Sequence, residues 1–348
     1  GSAFMPCDTL PGLNVPIELA LGIHTDAGLR NNMDIIGTLG VYTTQYYDKR
    51  LATGMSRLCS RDFADAMLAR IHKDMTFHLG GWNRRSLFDR NYSESREPQV
   101  PSMILELLSH QNYADMLVAH DPYCKFIFAR AIYKTILEYN AQIHQRKAPT
   151  VQPLPVQNVS AVANVQEKHI TLSWNPQEDP LEPTATPTSY IIYIKQNDKG
   201  WDNGTVVNAN KVNIAAVPGV LYRFRIAALN DGGSSLKSEE VCARVPFNKN
   251  AHQVMIVNGF ERIAAAQAVD CDTLRGFDMK QDPGVAYISN TSIYDLNGMP
   301  IAGNTFDYPA MHAHDLLLID EEQQARRDIA ISSCMVSAIP HTDLSPYR

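Results

Sequence analysis

The chain lacks any apolar run approaching the ~20 residues that a membrane-spanning helix requires, so no transmembrane segment is expected. Lysine and arginine are nowhere dense. There are 31 of them against 37 acidic residues, a formal charge of −6, so no basic field exists to hold a phosphate backbone and nucleic acid is not an expected partner. Cysteine is scarce and dispersed. The six thiols (Cys7, Cys59, Cys124, Cys242, Cys271 and Cys334) include no CxxC or other metal-ligand spacing. A chain this long needs no disulfide staples, so they read as isolated, mostly buried small residues. No charged n-region followed by an apolar h-region opens the sequence. The leading Gly1-Ser2 reads as an expression scar, so a missing signal peptide says little about compartment.

Proline and composition divide what is present. "KAPTVQPLPV" (147–156) carries three prolines and no helical period, the composition of a semi-rigid extended linker. A softer boundary falls at "VPFNKNAHQ" (245–253), where one strand-rich stretch ends and the apolar strand "VMIVNGF" begins. Three domains are expected: 1–147, 151–247 and 252–348.

The first segment alternates strand and helix. "VPIELALGI" and "IIGTLGVYTT" (35–44) are apolar strand candidates, and "MSRLCSRDFADAMLARIHKDM" (55–75) places Leu58, Phe63, Met67, Leu68 and Ile71 at helical spacing. "VPSMILELLS" (100–109) is a Pro-flanked apolar run, and "YCKFIFARAIYKTILEYNAQI" (123–143) is an amphipathic helix. Such alternation predicts an α/β layer fold over a mostly parallel sheet, with ligands outside the carboxyl ends of the strands. His24 stands at one such end, and Glu106 interrupts "MILELL" with a charge that is costly to bury without a partner. Each has a plainer meaning: His24 as a surface histidine at a strand end, Glu106 on the wet face of a helix through "SMILELLSHQNYADML".

The order of these pieces resembles the zinc-dependent N-acetylmuramoyl-L-alanine amidases, which cut bacterial peptidoglycan. "ELALGIHTDAG" is similar to that family's strand ending in a zinc-binding histidine, and "GTLGVYTT" to the strand after it. "WNRRSLFDRNYSESREPQVPSMILELLSHQNYADM" resembles the asparagine-arginine element followed by the strand bearing the catalytic glutamate, and "DPYCKFIFARAIYKTILEY" the closing helix. The resemblance spans about residues 13–140. It implies that His24 ligates zinc and that Glu106 is the general base that also protonates the leaving amine. A zinc with three protein ligands would activate a water in its open position. Asp26 and Arg84 become substrate-binding or loop-ordering groups, although Asp26 equally suits a turn cap and Arg84 a solvated charge. The family's other two ligands, a histidine in a Gly-His loop and a glutamate, precede this strand; the 23 residues before His24 contain no histidine. The domain therefore reads as lacking its N-terminal part, or as a copy that has lost its metal. His72, His78, His110 and His120 are also present, but the first two fall on or just after a predicted helix and the others in the helix-like stretch beyond Glu106, so they are not expected to replace the missing ligands.

Residues 152–246 resemble a fibronectin type III domain. Trp174 corresponds to the buried tryptophan and Tyr222 to the tyrosine of the corner, with Tyr190 and Phe224 as core and Trp201 the one aromatic placed to stack on a ligand. Residues 252–348 read as a small α/β domain, flavodoxin-like, with a helix through "HDLLLIDEEQQARR", a strand "DIAISSC" and a further element at "IAGNTFDYP". Cys334 reads as a buried structural thiol, and His312 and His314 as part of a turn before a helix rather than a metal pair.

This domain order also resembles exported Bacteroides proteins that carry the name xanthan lyase, yet no base beside a uronate-neutralising group stands out. The reading is thus a peptidoglycan amide hydrolase outside the cytoplasm. The alternative is a non-catalytic surface protein that binds glycan or protein on a degenerate amidase scaffold.

Overall fold

The computed structural model describes residues 16–28, 33–259, 263–284, 307–320 and 325–347. Two compact units divide the chain: Gly1–Pro149 with Ile263–Ala286, and Thr150–Arg262 with Tyr287–Arg348.

In the first unit four strands, β1 (Ala20–Asp26), β2 (Thr38–Tyr42), β3 (Arg84–Asp89) and β4 (Ser102–Ser109), form a sheet in the order β1-β4-β2-β3. The sheet is mixed rather than mostly parallel: β1 runs parallel to β4 and β2 to β3, but β4 and β2 are antiparallel. Chain length explains the departure. Residues 26 and 38 are too close in sequence for the crossover of a dozen or more residues that a parallel return requires, so β2 runs back against β1 and β4 inserts between them. The long helix α1 (Leu58–Leu79) provides the crossover from β2 to its parallel neighbour β3.

Three more helices follow: α2 (Ser93–Arg96), α3 (Tyr113–His120) and α4 (Pro122–Ile143). Their starts are written locally, with Asn112 capping α3 through Asp115 N and Asp121 capping α4 ahead of Pro122. The core lies on one sheet face, where Phe63, Met67, Leu68, Ile71 and Met75 of α1 and Ile127, Phe128 and Ala131 of α4 meet Met103 and Leu105 of β4. One ion pair is sealed between the two long helices, Asp74 with Lys134 at 2.7 Å, their side chains 4% and 2% exposed.

Gly37 shows why "GTLG" opens as it does. Its φ is +85°, and a Cβ there would lie 2.1 Å from the carbonyl of Asn83. The bare backbone lets Ile36 N and Gly37 N reach Asp115, whose carboxylate also takes Ser109 N, tying the start of β2 to the end of β4.

The second unit holds the expected sandwich. Its strands are β5 (Gln157–Asn164), β6 (His169–Asn175), β7 (Ser189–Gln196), β8 (Thr205–Val207), β9 (Lys211–Ala215), β10 (Leu221–Asn230), β11 (Gly233–Ser234) and β12 (Val241–Arg244). Alternation along β6 and β10 sends Ile170, Leu172, Trp174, Tyr222, Phe224 and Ile226 inward. Trp174 packs edge-on to Tyr190 at 5.3 Å, and Tyr222 Oη accepts Val217 N, the corner bond expected of that tyrosine.

A separate flavodoxin-like third domain is not what residues 252–348 form where they are described. β13 (Gln253–Asn258) pairs in parallel with β18 (Ala330–Met335), and β18 inserts between β12 and β5, edge strands of the sandwich. Two serines stitch it in. Ser332 Oγ accepts Ala163 N of β5, and Ser333 Oγ both accepts Cys242 N of β12 and donates to its carbonyl.

Helix α5 (Tyr308–Leu316) covers this junction with Ala310 and Ala313, which pack with Leu317, Cys242 and Ile331. The helix expected through residues 314–327 instead stops at Leu316. The unbroken run Leu316–Ile319 has no helical period to extend it, and Ile319–Asp320 (β16) pairs with Ala325–Arg326 (β17). Residues 301–306 of the expected "IAGNTFDYP" element, and Cys7, lie outside the described residues. A hairpin of β14 (Ala268–Asp270) and β15 (Arg275–Phe277) belongs to the first unit, where Phe277 meets the rings of His120 and Tyr113 at 4.4 and 5.9 Å.

Candidate functional site

The face of the first sheet turned away from α1 and α4 carries a cavity of ≈ 550 Å³. Strand alternation creates it. Along β4, Met103 and Leu105 enter the helical core while Ile104 and Glu106 point the other way, and Leu39, Val41 and Ile104 form a small apolar floor. His24 and Asp26 of β1 and the segment from Phe88 to Glu94 form the walls.

His24 and Glu106 are direct partners in the parallel β1–β4 register, so their side chains stand side by side on one face at the ~4.8 Å strand spacing. Leu39 flanks Glu106 on its other side. Burial raises the Glu106 pKa first of all; the opposite charges of His24 and Arg85 pull it back, and Asp26 and Glu94 add to the rise. Its Oε2 is buried and bonded to no protein group, and Asp26 Oδ1 shares that state. Buried acceptors without partners are rare in folded proteins, and two at one cavity mark a place kept for something other than stability.

Arg84 is not part of this wall. Between Thr38/Arg84 and Gly40/Leu87 the β2–β3 register slips by one residue, a bulge that re-aims the side chains beyond it. Arg84 consequently pairs with Asp65 of α1, and Arg85 reaches the site, donating from Nη1 to Asp26 Oδ2 at 2.6 Å. The reading of Asp26 as a substrate contact is altered in the same way, because one of its oxygens is taken by Arg85.

A residue without any motif completes the wall. Glu94, on the short helix α2, places Oε2 2.6 Å from His24 Nε2. Seventy positions separate the two, and the only trace in the sequence is Gly22, two residues before His24 on the same face. A Cβ at Gly22 would lie 2.7 Å from Glu94 Oε2.

The other histidines lie elsewhere. His72 bonds the carbonyl of Trp82, His78 bonds Tyr123, His110 bonds Thr25, and His120 packs on Phe277. His312 and His314 lie exposed on α5 on either side of buried Ala313, so they do not face a common point. Trp201 has its ring face covered by Arg225, 4.5 Å from the centroid. Cys334 is fully buried, and burial pushes its thiol pKa up.

The donors present were tested against the zinc that the resemblance implies. Catalytic zinc takes three protein ligands. Among the described residues no group of three or more His, Cys, Asp or Glu is placed to hold a metal, and the imidazole of His24 is engaged by Glu94. The described donor set does not fit a zinc centre.

Residues 154–244 match the model of the fibronectin type III domain family. A stretch of 79 residues is 34% identical to neural cell adhesion molecule L1 of Takifugu rubripes, covering 21% of this chain and 6% of that protein's length. Among solved structures, the N-acetylmuramoyl-L-alanine amidase of Clostridium difficile 630 is 16% identical, covering 35% of this chain and 57% of that one at a TM-score of 0.29. The amidase Ami1 of Mycobacterium smegmatis is 19% identical, covering 36% and 55% at a TM-score of 0.30. The twitchin kinase region of C. elegans is 23% identical, covering 29% and 18% at 0.25. These structural likenesses concern parts of the fold and assign no activity. The protein is thus multidomain, with a fibronectin type III sandwich. Among the described residues, no helix is long and apolar enough to cross a membrane.

Proposed function

We propose that the first unit is an amide hydrolase directed at peptidoglycan-type glycopeptides, acting outside the cytoplasm, with Glu106 as its acid–base group. The observation that carries this reading is the in-register pairing of His24 and Glu106 at a cavity, with a carboxyl whose proton affinity burial has raised and whose inner oxygen is unbonded. Such a carboxyl can take the proton of an attacking water and return it to the departing amine nitrogen. The apolar floor of Leu39, Val41 and Ile104 suits the carbon face of a sugar or an alanyl methyl, and Tyr92, Ser93 and Arg90 offer polar partners at the wall. No step is routed through zinc, because His24 and Glu94 fall short of three ligands.

The fibronectin type III unit supports a binding or adhesion role beside this chemistry, and such domains are typical of extracellular proteins. It also favours the second reading, a glycan- or protein-binding surface protein. The two part on one experiment: release of soluble muropeptides from purified peptidoglycan by the protein and by Glu106→Gln. Loss of about 10²- to 10⁴-fold, the usual contribution of a positioned acid–base group, with retained sedimentation onto the wall supports the hydrolase. Equal release by the two proteins overturns the role of Glu106, and binding without release by either leaves the adhesion reading.

A further inference from the structure

Two features of the cavity wall lack a stability rationale. The His24–Glu94 pair is half exposed, its side chains 43% and 52% accessible, and exposed pairs of this kind add little to folding. Gly22 sits inside β1, where glycine costs conformational entropy and packs no side chain, yet its φ is not in the left-handed region that would require glycine. The two features explain each other. The absent Cβ of Gly22 is the space that Glu94 Oε2 occupies, and the same space lies 3.4 Å from His24 Nε2.

We infer that Glu94 is a positioning residue that fixes the tautomer of His24, and that Gly22 admits it. A carboxylate only accepts hydrogen bonds, so Nε2 must carry the proton on the 2.6 Å contact. In the neutral ring Nδ1 is then left with the free lone pair. His24 therefore meets a ligand as a hydrogen-bond acceptor through Nδ1, and it recognises a donor such as an amide N–H or a sugar hydroxyl. Glu106 shares that face one strand away. This rests on the proposed reading only in taking the cavity as the ligand site.

The test is ¹⁵N NMR of the His24 ring in the full chain, at a pH where the imidazole is neutral, for the natural protein, Glu94→Ala and Gly22→Ala. The glycine variant leaves both partners chemically intact and clashes only with the flexible end of Glu94, so it displaces the carboxylate without dismantling the strand. The natural protein should show the Nε2–H form, and both variants a mixture of tautomers. Muramyl dipeptide, titrated as the probe, should bind each variant about tenfold more weakly, the size of one lost hydrogen bond. An unchanged His24 spectrum in both variants, or an Nδ1–H form in the natural protein, overturns the inference even if peptidoglycan is cleaved. If the tautomer responds while the natural protein neither binds the dipeptide nor releases muropeptides, the hydrolase reading fails and the role of Glu94 in fixing His24 stands.

Discussion

The two units hold particular buried carboxylates in different ways. In the fibronectin unit the fully buried carboxylate of Glu240 is bonded by both Arg223 and Arg225, and Ser332 and Ser333 bond backbone groups of the two strands that flank β18. At the cavity of the first unit, Asp26 Oδ1 and Glu106 Oε2 have no protein partner, and a half-exposed imidazole is held by a carboxylate from a helix of four residues. Two arginines on one buried carboxylate are what a group kept for stability shows. Two open acceptors on one concave face are what a unit that handles ligands shows, because groups already satisfied by the protein have nothing left to offer.

The sharpest way to break this contrast is to remove Trp174, which is 1% exposed at the centre of the sandwich core. Trp174→Ala should cost about 3–5 kcal/mol in urea unfolding, while muropeptide release per folded molecule stays unchanged. A matching loss of release would tie the chemistry to the wrong unit.

A similar cost is expected in the first unit from Lys134→Met, about 3–5 kcal/mol, because Asp74 is left buried and unpaired. The double variant Asp74→Leu/Lys134→Met should recover most of it. If the double variant stays as unstable as the single one, this pair sets the packing of α1 on α4 rather than merely tolerating burial.

Smaller effects separate the two arginines. Arg84→Ala loses a partly exposed pair with Asp65 and should change stability by under about 1 kcal/mol, with no effect on muramyl dipeptide binding. Arg85→Ala frees Asp26 at the cavity wall and should weaken that binding severalfold. Calorimetric titration of both variants shows which side of the bulge faces the ligand.

The smallest expected effect is a pH dependence. Burial raises the Glu106 pKa in the folded protein, so folding binds protons there and stability falls as pH rises through the folded value. Glu106→Gln removes that loss. Its urea midpoint should exceed that of the natural protein at pH 8, and the gap should close on acidification toward pH 4.

Much of the secondary structure was legible because it is local. The alternation around Trp174 and Phe224 identifies sandwich strands, and the period of Phe63, Met67 and Ile71 identifies α1. The site was half legible. His24 and Glu106 stood out as a polar residue at a strand end and a charge within an apolar run. Arg84 did not hold its expected place, since a one-residue bulge exchanged it for Arg85, and bulges leave no mark in a pattern of alternating residues. Glu94 lies in "YSESRE", a polar stretch that looks like any loop, and only Gly22 hinted at it. The last segment misled because a parallel strand pair with a helix has the same local pattern whether it founds a domain or joins a neighbouring sheet.

By itself the sequence determined which stretches are strands and helices and which faces they bury, since those follow from residue periodicity and local caps. Tertiary structure alone decided strand order and register, the insertion of β18, and the meeting of Gly22, His24, Glu94 and Glu106. Such contacts depend on how distant segments are aligned, and a shift of one residue in register sends a side chain to the opposite face of the sheet.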